Sequence, residues 1–345
     1  MEVDKNYCMN SYLMFRTIAD TSKCFTYKYL PKFFNTNYQR EPVYNSLELD
    51  DFLHEQVRIA TKDGRAALAL SGGIDSAILA KYMPKGSVAY TFKCVVPGID
   101  VIDESTMAAQ YAEACGLEHR IVEVYWEDIE KFLPILMKNK GAPLHSIEIQ
   151  IYKASLQAKK DGFSKLIFGE SADVLYGGHD GLLSKDYNLE EITQRYSHVL
   201  PQKVLKKPNL ILEPFLDYFD DNHSDIVGFV RDVYFKESMA SYENACQVAE
   251  IEPVIPYSMT SPPKLDLDRI RSGEPKYLVR EVFKRLYPDF KINKKIPMPR
   301  PTNEWFKNWD GPTRSEFILN CQDTLTGDQK WLVYCLEQFL DMIER

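Results

Sequence analysis

The sequence predicts an α/β protein: a parallel, twisted sheet with helices on both faces, continuing into a largely helical C-terminal part. Three observations carry this. Between about residues 64 and 171 short apolar runs alternate with helix-period runs, strand signals fade after about residue 186, and the chain closes on a clean helical stripe.

In order, RAALALS (65–71) reads as a strand and IDSAILAKYM (74–83) as a helix. SVAYTFKC (87–94) is a strand, and ESTMAAQYAEACG (104–116) a helix stopped by Gly116. HRIVEVYW (119–126) is a strand, IQIYKASLQAKKDG (149–162) a helix, and KLIFGES (165–171) a strand again. Parallel strands joined by helices imply right-handed crossovers, with ligands beyond the strand carboxyl ends near the switch point. The polar turns at 71–76 and 169–173 both follow strands, so both face that crevice. The last helix carries apolar residues at 332, 335, 336, 339, 340 and 343, a core-packing stripe.

The 345 residues, 45% hydrophobic and 27% charged, suit a globular protein with a substantial core. No apolar run reaches the ~18 residues of a membrane span, and no signal core opens the chain, so the expectation is cytoplasmic, with no membrane partner. A net charge of −8 argues against nucleic acid. Seven scattered cysteines without a C-x-x-C pair read as reduced thiols, and no histidine spacing suggests zinc.

Ser71-Gly72-Gly73-Ile74-Asp75-Ser76 sits where a strand becomes a helix. The glycines expose amides, the helix start adds orphan donors and partial positive charge, and the serines add hydroxyls, which suits pyrophosphate. It lacks the lysine of a Walker A loop. A carboxylate beside phosphates makes sense with Mg²⁺ between them, so Asp75 is a candidate metal ligand.

SGGIDS after an apolar strand resembles the signature of the PP-loop ATP pyrophosphatases, a fold also called adenine nucleotide α-hydrolase-like. FGESADVLYGGHD, from Phe168 to Asp180, is similar to the second motif of the asparagine synthetase C-terminal domain. Weaker matches follow in order: Asp103-Glu104, the segment from Glu243 to Tyr257, Lys276 to Arg280, and PDFKINKKIPMPRP at 288–301. Two departures stand out. Val254 replaces the arginine of E-x-R-x-P, and Glu243 stands where asparagine synthetases have Asp or Asn, though the similar β-lactam synthetase has a glutamate in this neighbourhood.

The resemblance implies a ligase that uses ATP and Mg²⁺ to adenylate a carboxylate and pass it to ammonia or an amine. It implies pyrophosphate binding by Ser71, Gly72, Gly73 and Ser76, and adenine contacts from Leu70, Thr91 and Phe92. Gly169 joins the nucleotide site, and Asp75 with Asp173 binds Mg²⁺. Glu170 or Glu243 serves as base, and Lys295 with Lys276 neutralises phosphate charge, Lys294 remaining an alternative to Lys295. Residue 2 is Glu2, not a nucleophilic cysteine. The expectation is therefore a synthetase without its own glutaminase: a 1–50 arm, a 51–300 synthetase domain and a 301–345 helical tail, with room for a separate glutaminase partner and a homodimer. Alternatives are a tRNA-modifying PP-loop enzyme or a non-catalytic nucleotide-binding subunit.

Overall fold

The computed structural model describes residues 1–33, 39–220, 222–292 and 298–345. Its centre is a five-stranded parallel sheet of β1 (Ala66–Ala69), β2 (Val88–Cys94), β3 (Glu118–Val124), β4 (Lys165–Ile167) and β5 (Glu252–Val254), in spatial order β3-β2-β1-β4-β5. Strand order reverses between β1 and β4, so the switch point lies between the two strands that the sequence assigns to the polar turns. β1 is buried at all four positions, as a strand covered on both faces must be.

Helices α2 (Ser46–Thr61), α3 (Ile74–Tyr82), α4 (Ser105–Cys115) and α9 (Tyr277–Leu286) pack as one layer. On the other face lie α5 (Trp126–Lys140), α6 (Glu148–Lys160) and α8 (Phe235–Ala249), with α7 (Leu189–Tyr196) preceding α8 in the chain. The reasons are local. Asn45 caps α2 by accepting from the amides of Leu47 and Glu48, and Leu49, Leu53, Val57 and Ala60 form its buried stripe. Gly116 ends α4 in the left-handed conformation, as the sequence predicts.

Two elements differ from the sequence reading. Helix α5 carries Pro134, which hides a regular buried stripe of Ile129, Phe132, Leu133, Leu136 and Met137. β5 holds only Glu-Pro-Val, and its Pro253 is tolerated because β5 is an edge strand paired with β4 alone.

One helix of the segment expected to form an arm is interior. Helix α1 (Lys5–Phe15) buries all eight residues from Cys8 to Phe15, in the same core as α10 (Gly327–Glu344). Phe25 stacks edge-on against Phe339 at 5.1 Å, and the Tyr12 hydroxyl and Trp331 Nε1 both donate to Leu144 O, at 2.7 and 3.1 Å. The α10 stripe holds as expected, with Leu332, Cys335, Leu336, Phe339 and Leu340 buried and Ile343 packed at its edge. Each large apolar side chain there contributes about 2 kcal/mol. Among the described residues no helix is long and apolar enough to cross a membrane.

Candidate functional site

The β1–α3 turn is closed on itself by its two serines. Ser76 Oγ accepts from the Ser71 amide at 3.0 Å and meets Ser71 Oγ at 2.9 Å, while the Gly73 amide donates to Ser71 Oγ at 3.2 Å. Gly73 is the N-cap of α3 and supplies no side-chain cap, which leaves the first turn suited to an external anion. From outside, the Tyr257 hydroxyl donates to Asp75 O at 3.2 Å and the Tyr287 hydroxyl to Ala77 O at 2.6 Å, both unforeseen in the sequence.

The second turn is pressed against the first. A Cβ on Gly169 would lie 2.8 Å from the Ser76 amide nitrogen and 3.1 Å from Asp75 C, so Gly169 is a packing residue between the turns. Gly169→Ala is expected to destabilise the fold by about 1–3 kcal/mol, read as a lower urea midpoint at unchanged slope. A Cβ on Gly178 would fall 2.1 Å from Asp173 Oδ1, so this glycine leaves room for the carboxylate.

Asp75 and Asp173 do converge, and the group between them is Lys276. Its Nζ donates to Asp75 Oδ1 at 2.8 Å and Oδ2 at 2.7 Å, and pairs with Asp173 Oδ1 at 2.9 Å. Lys276 is buried at the N-cap of α9 with φ +53°, a left-handed conformation that costs a non-glycine residue about 1 kcal/mol or more. The sequence reading gave this lysine a supporting role toward phosphate; its observed partners are both proposed metal ligands.

Glu170 and Glu243 part company. Ser238 Oγ donates to Glu170 Oε1 at 2.7 Å, and the buried Tyr242 phenol is pushed well above its usual range by burial and then by the Glu170 carboxylate. Glu243 instead lines a cavity of about 280 Å³ with Ile59, Lys165, Glu252 and Val254, running along the edge strand β5. Residues 238 and 242 share the face of α8 that meets Glu170, while 243 is turned about 100° from 242 and leaves the helix in a different direction.

The expected adenine contacts are partly spent inside the sheet. The Leu70 amide donates to Tyr90 O at 2.8 Å, and the Thr91 hydroxyl donates to Leu70 O at 2.6 Å. Having given its proton there, Thr91 Oγ1 accepts from His119 Nε2 at 2.8 Å, which fixes that tautomer; burial lowers the His119 pKa. Phe92 is half-buried. Gly72 faces α4, where a Cβ would lie 3.1 Å from Glu104 Cβ. Asp103 accepts from the Ser105 amide at 2.7 Å and pairs with Lys93, a local anchor for α4. Lys294 and Lys295 lie outside the described residues.

No curated protein matches the chain. Among solved structures, an NH3-dependent NAD synthetase from Campylobacter jejuni subsp. jejuni NCTC 11168, in complex with the nitrate ion, is 16% identical over 40% of this chain, with a TM-score of 0.27; the match spans 62% of that chain. A U34-tRNA thiolase NcsA from Methanococcus maripaludis with its 4Fe-4S cluster is 17% identical, with a TM-score of 0.26, covering 74% of this chain and 88% of that one. The asparagine synthase family matches residues 48–238, more than half of the chain and inclusive of both turns. The chain belongs to the asparagine synthase family.

Proposed function

We propose that the protein is an ATP-dependent, AMP-forming ligase that adenylates a substrate carboxylate and transfers it to ammonia or an amine. One observation carries this reading: Asp75, Asp173 and Lys276 meet beside the start of α3, where phosphate oxygens would find amides, carboxylates and an ammonium together. Family membership supports the broader class, an ATP-using amidation or adenylation enzyme.

The residues fit Mg²⁺ bound together with nucleotide. Among the described residues no cluster of three or more ligating side chains forms a cage, and Mg²⁺ characteristically takes one or two carboxylates with substrate phosphates and water. Asp75 and Asp173 would hold it, and the ion would supply charge neutralisation at the phosphates. Lys276 would keep the two carboxylates together when the site lacks nucleotide.

In the first step a carboxylate oxygen of the substrate attacks the α-phosphorus, a new P–O bond forms, and the bond to the departing pyrophosphate breaks. The turn at Ser71–Ser76 would hold the pyrophosphate through its amides and hydroxyls, the kind of preorganised stabilisation that dominates phosphoryl chemistry. In the second step the amine nitrogen attacks the acyl carbon, a C–N bond forms, and AMP leaves with the electrons of the acyl C–O bond. Glu170, oriented by Ser238, would take the proton from the attacking nitrogen.

The test is pyrophosphate release from ATP, followed across a panel of carboxylates with ammonium present. Release that depends on a carboxylate and on Mg²⁺ is the expected result. Glu170→Gln should then slow amide formation by about 100-fold or more while sparing carboxylate-dependent exchange of pyrophosphate into ATP. Release that is indifferent to every carboxylate would falsify the reading.

A further inference from the structure

A cavity of about 740 Å³ opens between the N-terminal segment, the short helix Glu213–Leu216 and α8, a volume ordinary for small-molecule sites. None of the described residues that line it belongs to the two turns. On α8 it is walled by Lys236 and Ala240, one turn apart, whereas Ser238 and Tyr242 meet Glu170 from positions about 200° around the helix. The helix therefore stands between this cavity and the Glu170 site.

One wall is aromatic and is held from behind. Phe15, Tyr196 at the end of α7, and Tyr218 line it. Phe15 packs on Tyr196 at 5.7 Å, and the buried Phe229 meets Tyr196 edge-on at 4.7 Å and Tyr218 edge-on at 5.8 Å. Rings locked in this way present a fixed apolar surface. Within that wall Tyr196 is only 5% exposed, and its hydroxyl is shielded from solvent with no hydrogen-bond partner among the described residues. Buried polar groups are normally satisfied, so this oxygen asks for a partner.

The opposite side is acidic. Four carboxylates line the cavity, Asp20, Glu213, Asp217 and Asp232, against two ammoniums, Lys32 and Lys236. Lys32 Nζ donates to neutral partners, Asn139 Oδ1 at 2.6 Å and Gln247 Oε1 at 3.1 Å. Asp232 is matched already, by Arg231 and the Tyr218 hydroxyl at 3.0 and 3.1 Å. Glu213 and Asp217, four positions apart, make no ion pair among the described residues. Burial, then the charges of Glu213 and Asp20, push the Tyr7 phenol above its usual range, so those two carboxylates act on one ring of the lining. Like charges at this spacing repel, and a cation between them relieves the repulsion.

We infer that the cavity binds a small organic amine as its ammonium ion, the charged end at Glu213 and Asp217 and the apolar body against Phe15, Tyr196 and Tyr218. Aromatic faces beside carboxylates are the combination that recognises organic cations. A bare metal ion does not suit, because among the described residues no three ligating side chains gather and the space far exceeds one ion. An anion would meet the excess of carboxylates, and a neutral apolar molecule would leave them unmatched. The site is separate from the adenylation chemistry and does not rest on the ligase reading.

The test is calorimetric titration of the full chain with phenethylammonium chloride and, separately, with 2-phenylethanol, which keeps the apolar body and lacks the charge. Saturable one-to-one binding of the ammonium is expected, with the alcohol about tenfold weaker or more. Glu213 and Asp217 are exposed, so the double variant Glu213→Gln with Asp217→Asn should keep the wild-type urea midpoint while binding the ammonium about tenfold less tightly. Failure of the ammonium to bind, equal binding of the alcohol, or undiminished binding by the double variant each overturns the site.

Discussion

Lys276→Met is expected to lower ATP-dependent turnover by about 100- to 1000-fold and to destabilise the fold by about 3 kcal/mol. One nitrogen holds Asp75 and Asp173 within 3 Å, and both Lys276 and Asp75 are almost wholly buried. Without it, two carboxylates face each other at roughly 5 Å, a repulsion of about 3 kcal/mol at an effective dielectric near 20. A second cation should then relieve the strain. Millimolar Mg²⁺ is expected to raise the melting temperature of Lys276→Met more than that of the wild type, a readout independent of turnover. Melting that ignores Mg²⁺ in both proteins would remove the metal assignment for the two aspartates.

The second large effect is on stability alone. Glu148 is fully buried; its Oε1 accepts from Lys140 Nζ at 2.5 Å and the His145 amide at 2.9 Å, and its Oε2 accepts from Asn244 Nδ2 at 2.8 Å. This ties the end of α5, the start of α6 and the middle of α8 around one carboxylate. Lys140→Met is expected to cost about 3–5 kcal/mol, because it strands a buried charge, whereas Lys140→Met with Glu148→Gln should recover a good part of the loss. Urea unfolding of the two variants and Glu148→Gln decides it: additive losses would mean that the pair is not coupled.

The two turns were legible because each is a contiguous string whose backbone and side chains serve one end of the sheet. The role of Gly169 was not, since the backbone it packs against lies more than 90 residues earlier and has no mark in its own sequence. Lys276 was found, but its partners were not, because a lysine near phosphates and a lysine between carboxylates look alike in one dimension. Glu243 was picked from its place in a motif, where helix phase would have pointed to Ser238 and Tyr242. The sheet was largely legible for the opposite reason: its strands are dense in apolar residues, and only the edge strand Glu252–Val254, too short and proline-bearing, escaped.

The pairing of α1 with α10 bears on how the chain is made. The two helices are separated by roughly 320 residues, which at about 5–20 residues per second leaves the apolar side of α1 waiting some 16 to 64 seconds for its cover. During synthesis α1 is a sticky segment without a home, and a ribosome that stalls late releases a chain whose core is open along that whole seam. Shortening the chain from the α10 side should therefore produce aggregates rather than a smaller folded protein, and any chaperone that attends this chain would find its handle in α1.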